Sequence, residues 1–209
     1  MQVGTKPKGP GGRPRKFDEG QALASIQRQL WTSGLSGVSL DGIARAAGIN
    51  RPSLAASFGG KDQIYAQAAA QYVAMMDARV SRALEHEDLE LALRAAFDVA
   101  IDVYTAEGPN GCFVLCTAPA EAQTSEVCRR ILDQAVIEID AVFLRRVERE
   151  PARTAAGSPE PSLLAAQLGA TLHSLALRAR AGWSEDRLRG FTDGAVHLVL
   201  AASGTTPAA

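Results

Sequence analysis

The sequence predicts an all-α protein of about nine helices, with a small three-helix domain followed by a larger helical bundle. The composition is typical of a helical protein rich in alanine and leucine, because hydrophobic residues make up 46% of the 209 residues and aromatic residues only 5%. Apolar residues also recur at helical spacing in one stretch after another. Gly, Pro and Ser separate these stretches. We expect a basic arm at 1–16, a first domain at 17–65 and a second at 66–209.

Charge is unevenly distributed along the chain. Residues 1–60 contain eight Lys or Arg and three acidic residues, so this part carries +5 and the remainder −6. Polyanion binding therefore belongs to the N-terminal part.

No apolar run approaches the length of a membrane span, and the N-terminus lacks the apolar segment of a secretory signal. An odd number of cysteines, three, argues against a disulfide scaffold. We expect a cytoplasmic protein that does not bind membranes.

Residues 1–16 combine five positive charges with Gly and Pro and show no apolar periodicity. Such a composition predicts a disordered arm. Arg13, Arg15 and Lys16 come directly before the first helix, where a basic arm can follow DNA phosphates or enter the minor groove. The alternative is a tail that only increases solubility.

The first two helices have clear start and stop signals. Apolar residues recur at helical spacing over residues 17–33, and Gly34 is suited to end that helix. Ser39 is placed to cap a second short helix, which we expect to end near Ala47. Gly48 then permits a sharp turn.

A third helix is predicted from Arg51 to about Ser57, with Asn50 as its cap and Pro52 in its first turn. Leu54 and Phe58 would face the core, and the other side is polar. Two short helices joined by a tight turn, the second starting with small polar residues, indicate a helix-turn-helix motif, because short side chains let a helix approach base edges in the major groove. An ordinary helical hairpin is the alternative.

Further short patterns surround this motif: GRPRKF at residues 12–17, GINRPSL at residues 48–54, and then Phe58 and Lys61. With the spacing and order of the three helices, these residues resemble the DNA-binding domain of the TetR family of bacterial transcriptional regulators. The resemblance covers about residues 12–65. It implies a homodimer that binds a palindromic operator in double-stranded DNA and responds to a small-molecule ligand of unknown identity.

The resemblance implies roles for residues that match the family pattern. Ser39 would cap the second helix and touch a phosphate, Arg51 would open the recognition helix, and Lys61 would approach the DNA backbone at the start of the fourth helix. The complete set expected at the DNA interface is Arg13, Arg15, Lys16, Ser39, Asn50, Arg51, Pro52, Ser53, Ala55, Ser57 and Lys61.

The recognition helix also departs from the family pattern. Ala55 stands where the family usually has tyrosine, and Ser57 stands where it often has His or Tyr. Gly42 replaces an acidic residue that would complete a capping box, and the nearby acid is Asp41. The contacts of those aromatic side chains are therefore missing, and more weight should fall on basic residues and DNA shape.

Helical spacing continues through the second domain. We predict helices over residues 61–85, 89–104 and 124–149, with Pro119 interrupting the short apolar stretch at 112–118. The helix at 61–85 would join the two domains rigidly. The helix at 124–149 is apolar over more than one face, which predicts a central position.

A linker rich in Pro is predicted at residues 150–161, and two further helices follow it. Each of these helices carries a stripe of small and medium apolar residues, which suits a four-helix bundle formed with a symmetry mate. The residues expected at the dimer interface are Leu168, Leu172, Leu175, Phe191, Ala195, Leu198 and Val199.

We expect the second domain to hold a largely apolar cavity whose small ligand releases a repressor from DNA by moving the fourth helix. The candidate ligand or sensor residues are Tyr72, Met76, Tyr104, Cys112, Cys116 and His173. Each also has a simpler interpretation as a core residue or a hydrogen-bonded histidine.

A cysteine-based switch for oxidants or electrophiles is the alternative function. Cys112 comes near a predicted helix start, where a thiolate would have a lowered pKa. Buried cysteines that act as small hydrophobes are the simpler interpretation. The spacing of the cysteines resembles no zinc site, so no metal is expected.

No catalytic or cofactor-binding motif appears, so neither an enzyme nor a cofactor is expected. A helical enzyme or binding module with a vestigial DNA-binding domain is a third hypothesis.

Overall fold

A computed structural model describes residues 17–150 and 159–203, and these residues form nine helices and no strand. The helices are α1 Glu19–Ser33, α2 Leu40–Ala46, α3 Arg51–Phe58, α4 Lys61–Ala83, α5 Leu89–Thr105, α6 Phe113–Glu121, α7 Glu126–Val147, α8 Pro161–Arg180 and α9 Glu185–Ser203. The predicted all-α architecture is confirmed. The expected basic arm, with Arg13, Arg15 and Lys16, and residues 151–158 of the predicted linker lie outside the described residues.

Side-chain caps fix the starts of the short helices. Ser39 Oγ accepts a hydrogen bond of 3.0 Å from the Gly42 amide, and Asn50 Oδ1 accepts one of 2.8 Å from the Ser53 amide. Both caps are as predicted, and each satisfies an amide that the first helical turn leaves without a partner. The α1 helix starts two residues later than predicted because Asp18 is its cap.

Pro119 does not interrupt the chain as predicted, because α6 continues through it to Glu121. Proline lacks an amide hydrogen, so this position cannot donate the usual bond within the helix. The helix ends two residues later, and little regular structure is lost. Cys112 is the N-cap residue of α6, and α7 follows at Glu126.

The first three helices pack around buried apolar residues that include Ile26, Leu30, Ile43 and Leu54. From this domain α4 extends into the second, where α5, α8 and α9 pack on one another and α7 packs on α4 and α8. The α6 helix lies among α1, α4, α7 and α8, so it joins both domains. Among the described helices, none is both long and apolar enough to cross a membrane.

The α7 helix is less central than its sequence predicts. Its fully buried residues lie at its ends, whereas Ile131, Ile139 and Val142 are half-buried and Ile137 is 54% exposed. Apolar residues on several faces of α7 therefore border open clefts as well as the core. The α5 helix has the more continuous buried face.

Candidate functional site

The α3 helix presents a face of short side chains to the solvent. Leu54 and Phe58 are buried and hold the helix in the first domain, where the ring centroids of Phe58 and Phe17 are 6.4 Å apart. Gly48 has a φ of +67°, the left-handed conformation that the turn between α2 and α3 needs. On the opposite side of α3, Arg51, Pro52, Ala55 and Ala56 are exposed, and Ser53 and Ser57 are half-buried.

Arg51 is the basic side chain at the start of this exposed face. Its guanidinium Nη1 lies 3.4 Å from Asp41 Oδ2, and the two side chains are 60% and 61% exposed. An ion pair this exposed contributes little to stability, typically about 0–1 kcal/mol. A phosphate could therefore replace Asp41 as the partner of Arg51 at small cost.

Lys61 makes a contact that its sequence position did not predict. Its Nζ donates a hydrogen bond of 2.9 Å to the Leu35 carbonyl, and the side chain is half-buried. This bond attaches the start of α4 to the connection between α1 and α2. Contact between Lys61 and a DNA backbone would require the ammonium to turn away from that carbonyl.

The second domain contains an apolar cavity of about 90 Å³ that lies chiefly between α4 and α7. Four of the six predicted ligand residues line it: Tyr72, Met76, Tyr104 and Cys112. The other residues that line it are Val73, Asp77, Val80, Val114, Ala135, Glu138, Ile139, Val142, Phe143 and Leu172.

Cys116 and His173 do not line this cavity, in contrast to the prediction. Cys116 Sγ lies 3.7 Å from the Ala176 carbonyl oxygen, on the side of α6 that faces α8. His173 is half-buried on α8; burial lowers its pKa, and nearby Asp140 opposes that shift. Within residues 17–150 and 159–203, no three His, Cys, Asp or Glu side chains are arranged to hold a metal ion.

The expected lowering of the Cys112 pKa is wrong. Burial is the largest influence and raises the pKa of this thiol, because the apolar surroundings disfavour a thiolate. The nearby backbone of Leu115 and Val114 and the phenols of Tyr72 and Tyr104 oppose this rise in pKa without reversing it. Proximity to the start of α6 therefore does not produce a reactive thiolate at rest.

The cavity wall directly contacts the first domain. The Tyr72 ring meets the Trp31 ring of α1 edge to face, with centroids 5.1 Å apart. Phe113 of α6 contacts both rings and also stacks on Tyr65. Trp31 Nε1 donates to the Asn110 carbonyl at 3.2 Å, immediately before α6. A change in the position of Tyr72 would therefore act on α1 without an intermediate.

The C-terminal end of α6 is also hydrogen-bonded to the first domain. Glu121 is buried, and its two carboxylate oxygens accept hydrogen bonds from the Ser36 amide, at 2.8 Å, and from the Ser36 hydroxyl, at 2.6 Å. Between the two ends, the hydroxyls of Tyr65 and Thr117 share a hydrogen bond of 2.8 Å. Glu121 was not predicted as a functional residue, because an acid at the end of a short helix gives no local sign of a partner 85 residues away.

The segment before α6 also packs closely on α8. Gly111 has a φ of +65°, and a Cβ at this position would lie 2.3 Å from the Ala176 carbonyl oxygen. Arg180 Nη1 donates to the carbonyls of Trp31, at 2.9 Å, and Asn110, at 3.1 Å. The α8 helix is thus bound to both α1 and the start of α6.

Four of the predicted dimer-interface residues are placed inside the protomer. Leu168, Leu172, Leu175 and Val199 are buried in the core, so they are not available to a partner. Their stripes face the other helices of the same chain. Of the other predicted residues, Phe191 and Ala195 are half-buried and Leu198 is 70% exposed.

Other apolar residues form the outer faces of the two terminal helices. Leu163 and Leu177 of α8 are 63% and 60% exposed. On α9, Gly190 and Gly194 border open space, with half-buried Phe191 between them in sequence. Gly194 lies one turn before Leu198, and Gly190 lies two turns before it. We call this set, Leu163, Leu177, Gly190, Gly194 and Leu198, the α8–α9 outer face.

Comparison with known proteins identifies both parts of the fold. Residues 23–68 match the family of bacterial regulatory proteins, tetR family. The HTH-type transcriptional repressor ComR of Escherichia coli (strain K12) is 30% identical over 111 residues, which is 51% of this chain and 53% of ComR. The chain thus matches about half the length of that curated relative.

Solved structures extend the similarity to almost the whole chain. A cysteine mutant of the TetR family transcriptional regulator CifR, complexed with 26-bp double-strand operator DNA, superposes with a TM-score of 0.78 and 26% identity, over 88% of this chain and 98% of that one. A transcriptional regulator from Rhodococcus sp. Rha1 shares the fold with a TM-score of 0.75 and 23% identity, over 90% and 98% of the two chains. The first helices thus match the tetR family model, and the overall fold is shared with solved TetR family transcriptional regulators.

Proposed function

We propose that this protein is a repressor that binds a palindromic operator as a homodimer and is released by a small, largely apolar ligand. The observation that carries the proposal is the direct contact between an apolar cavity and a helix-turn-helix domain, made by Tyr72 and Trp31. ComR is a transcriptional repressor and CifR is solved on operator DNA, which supports the DNA-binding part of the proposal.

The α3 helix would enter the major groove. Its exposed alanines and half-buried serines allow close approach to base edges, and Arg51 at its start would contact a phosphate or a guanine. The Ser39 and Asn50 caps hold the helix starts in place for this contact. Arg13, Arg15 and Lys16 would add phosphate contacts from the basic arm.

Replacement of Arg51 tests this assignment. We expect Arg51→Ala to lower operator affinity about tenfold, the typical effect of losing a charged DNA contact. The measurement is fluorescence anisotropy at fixed salt, on an operator selected from a random DNA pool. Arg145→Ala, which removes an exposed arginine near the end of α7, is the matched control. Equal affinities of Arg51→Ala and the wild type would refute the proposed role.

The α6 helix provides the route from the ligand to the DNA-binding domain. A ligand in the cavity would displace Tyr72, Cys112 or both, and these residues adjoin Trp31 and the start of α6. The other end of α6 holds Ser36 through Glu121. Binding would then shift the population between conformations that fit the operator and conformations that do not.

The α8–α9 outer face would form the homodimer. Exposed leucines beside glycines let two helices approach closely and bury apolar surface. We expect Leu198→Glu to convert a dimer into a monomer in sedimentation velocity. Leu91→Glu, at a residue of α5 that is 55% exposed, should leave the dimer intact. A dimer that tolerates Leu198→Glu at micromolar concentration would exclude this interface.

The cysteine switch is retained as a second function because Cys112 lies in the cavity wall beside two phenols. A small electrophile that entered the cavity would meet its thiol. The hypothesis requires that iodoacetamide releases the wild type from DNA and leaves Cys112→Ser bound, with Cys116→Ser behaving as wild type. Equal release of the wild type and Cys112→Ser would exclude it.

A further inference from the structure

The residues that line the cavity include Tyr72, a buried tyrosine. The Tyr72 hydroxyl has no hydrogen-bond partner among the described residues, and the side chain is only 2% exposed. The surrounding wall is formed mainly by aliphatic and aromatic side chains such as Val73, Val80 and Phe143. A buried donor left unpaired costs about 1–3 kcal/mol, so a ligand that accepts from it gains affinity.

The Tyr72 hydroxyl can act only as a neutral donor. Burial raises the pKa of Tyr72 well above that of a free phenol, so the hydroxyl keeps its proton at physiological pH. The group that pairs with it must therefore be an acceptor, and an oxygen is the common one. The adjacent Cys112 thiol is a weak acceptor and leaves this requirement open.

The edge of the cavity disfavours negative charge. Asp77 of α4 and Glu138 of α7 both line it and are exposed, and none of the described Lys, Arg or His residues lines it. Within the described part of the chain, Asp77 accepts a hydrogen bond from Ser81 and Glu138 accepts one from Gln134, but neither forms an ion pair with a basic residue. An anionic ligand would meet two carboxylates and an apolar interior that cannot solvate it.

We propose that the cavity binds a small neutral molecule with an apolar body and one hydrogen-bond-accepting oxygen, such as a ketone, ether or alcohol, and that it rejects the corresponding carboxylate. The oxygen accepts from Tyr72, and the body fills the space between α4 and α7. This inference rests on the ligand-binding part of the proposed function. The Tyr72 ring that would hold the ligand oxygen also packs on Trp31 of the first domain. Ligand binding at Tyr72 would therefore act directly on the contact between the two domains.

Three probes of equal heavy-atom count separate the contributions: acetophenone, isopropylbenzene and benzoate. The first has the apolar body and an acceptor, the second lacks the acceptor, and the third carries a negative charge. Titration calorimetry of the full chain should show acetophenone binding about five- to tenfold more tightly than isopropylbenzene, the usual effect of one hydrogen bond. Benzoate should show no binding at the same concentrations.

Variants then assign the effect to one hydroxyl. Tyr72→Phe should reduce acetophenone affinity to that of isopropylbenzene and leave isopropylbenzene unchanged. Tyr65→Phe is the matched control, because that hydroxyl is already paired with Thr117 and does not line the cavity. The double variant Asp77→Asn, Glu138→Gln should allow benzoate to bind. Thermal unfolding confirms that each variant folds.

The proposal is overturned if acetophenone and isopropylbenzene bind the wild type equally, if Tyr72→Phe weakens both to the same extent, or if benzoate binds as well as acetophenone. Absence of binding by all three probes up to their solubility limits also overturns it. These measurements use no DNA. If acetophenone binds as expected but does not release the operator, the inference stands and the proposed induction fails.

Discussion

The two domains differ in how far their polar groups are satisfied by hydrogen bonds. In the first, the caps of α2 and α3 are satisfied by Ser39 and Asn50, and the exposed face of α3 consists largely of short side chains. In the second, the Tyr72 hydroxyl, one Asp140 oxygen and His173 Nε2 are buried without a partner among the described residues. The helix starts of the domain that would read DNA are therefore satisfied by their own caps, whereas the domain that would sense a ligand retains unpaired groups in its interior. Such groups lower stability and leave binding energy for another molecule.

The largest expected effect comes from removing the ring that both domains share. Phe113→Ala should destabilise the protein by about 3–5 kcal/mol, because this fully buried ring contacts Trp31, Tyr65 and Tyr72 at the boundary between the domains. Urea unfolding followed by circular dichroism measures the change. Phe191→Ala, at a half-buried ring on α9, should cost clearly less. Similar costs for the two variants would contradict a special role of the domain boundary.

A smaller effect should follow the loss of the bonds between α6 and the α1–α2 connection. Glu121→Ala should cost about 1 kcal/mol, because the Ser36 amide and hydroxyl lose their acceptor in a partly buried position. Hydrogen exchange should rise mainly in residues 33–39. The exposed Glu126→Ala, which removes an acid paired only on the surface, serves as the control. Protection of residues 33–39 equal to that of the wild type would contradict the coupling through Glu121.

A cap within the first domain should have a local effect. Asn50→Ala should lower stability by about 1 kcal/mol, because the Ser53 amide loses its partner at the start of α3. Thermal unfolding measures the loss, and Asn50→Asp should largely restore stability because aspartate is an equally good cap. Ligand-probe affinities should not change, since this residue lies away from the cavity. A change in probe affinity would show that the first domain is less independent than the caps suggest.

Replacing Cys116 should have the smallest effect on stability at neutral pH. Burial raises the pKa of this thiol to about 11 from a reference of 9.0, so it stays protonated in the folded state over a range in which the unfolded chain releases its proton. Stability contributed by this group is therefore complete below pH 9 and falls as the pH rises toward 11. Cys116→Ser should remove part of that loss of stability at alkaline pH.

Alkylation of Cys116 by iodoacetamide at pH 8 should also be about a hundredfold slower than that of a free thiol with the reference pKa. A rate equal to the free-thiol rate would show that the thiol is not held in this environment.

Local signals in the sequence predicted the helices well. Ser39, Gly48 and Asn50 mark boundaries by chemistry that involves only a few neighbouring residues, so their roles can be read directly from the chain. Pro119 misled the prediction, because a proline near the end of a helix removes only one bond. The position of α7 was also wrong, because periodicity shows that a face is apolar but not whether another helix covers it.

The candidate sites were predictable only in part. Tyr72, Met76, Tyr104 and Cys112 line the cavity, and their role in ligand binding stays a prediction. The interface residues were less predictable: α8 and α9 carry apolar residues on both inner and outer faces, so spacing alone cannot assign one face to the protomer core and the other to a partner. The contacts of Glu121 and Trp31 depend on chain segments far apart in sequence, for which helical periodicity carries no information.

The close packing of Gly111 against Ala176 has a consequence for how this protein would behave at different concentrations. In the proposed dimer, α8 would offer its outer face to a second copy, while Ala176 and Arg180 on its inner face contact the segment that leads into the cavity. If assembly shifts α8 even slightly, the space available to a ligand changes with it. Thermodynamic reciprocity then requires the ligand to shift the dimerisation constant by the same factor. Apparent ligand affinity would depend on how much of the protein the cell contains.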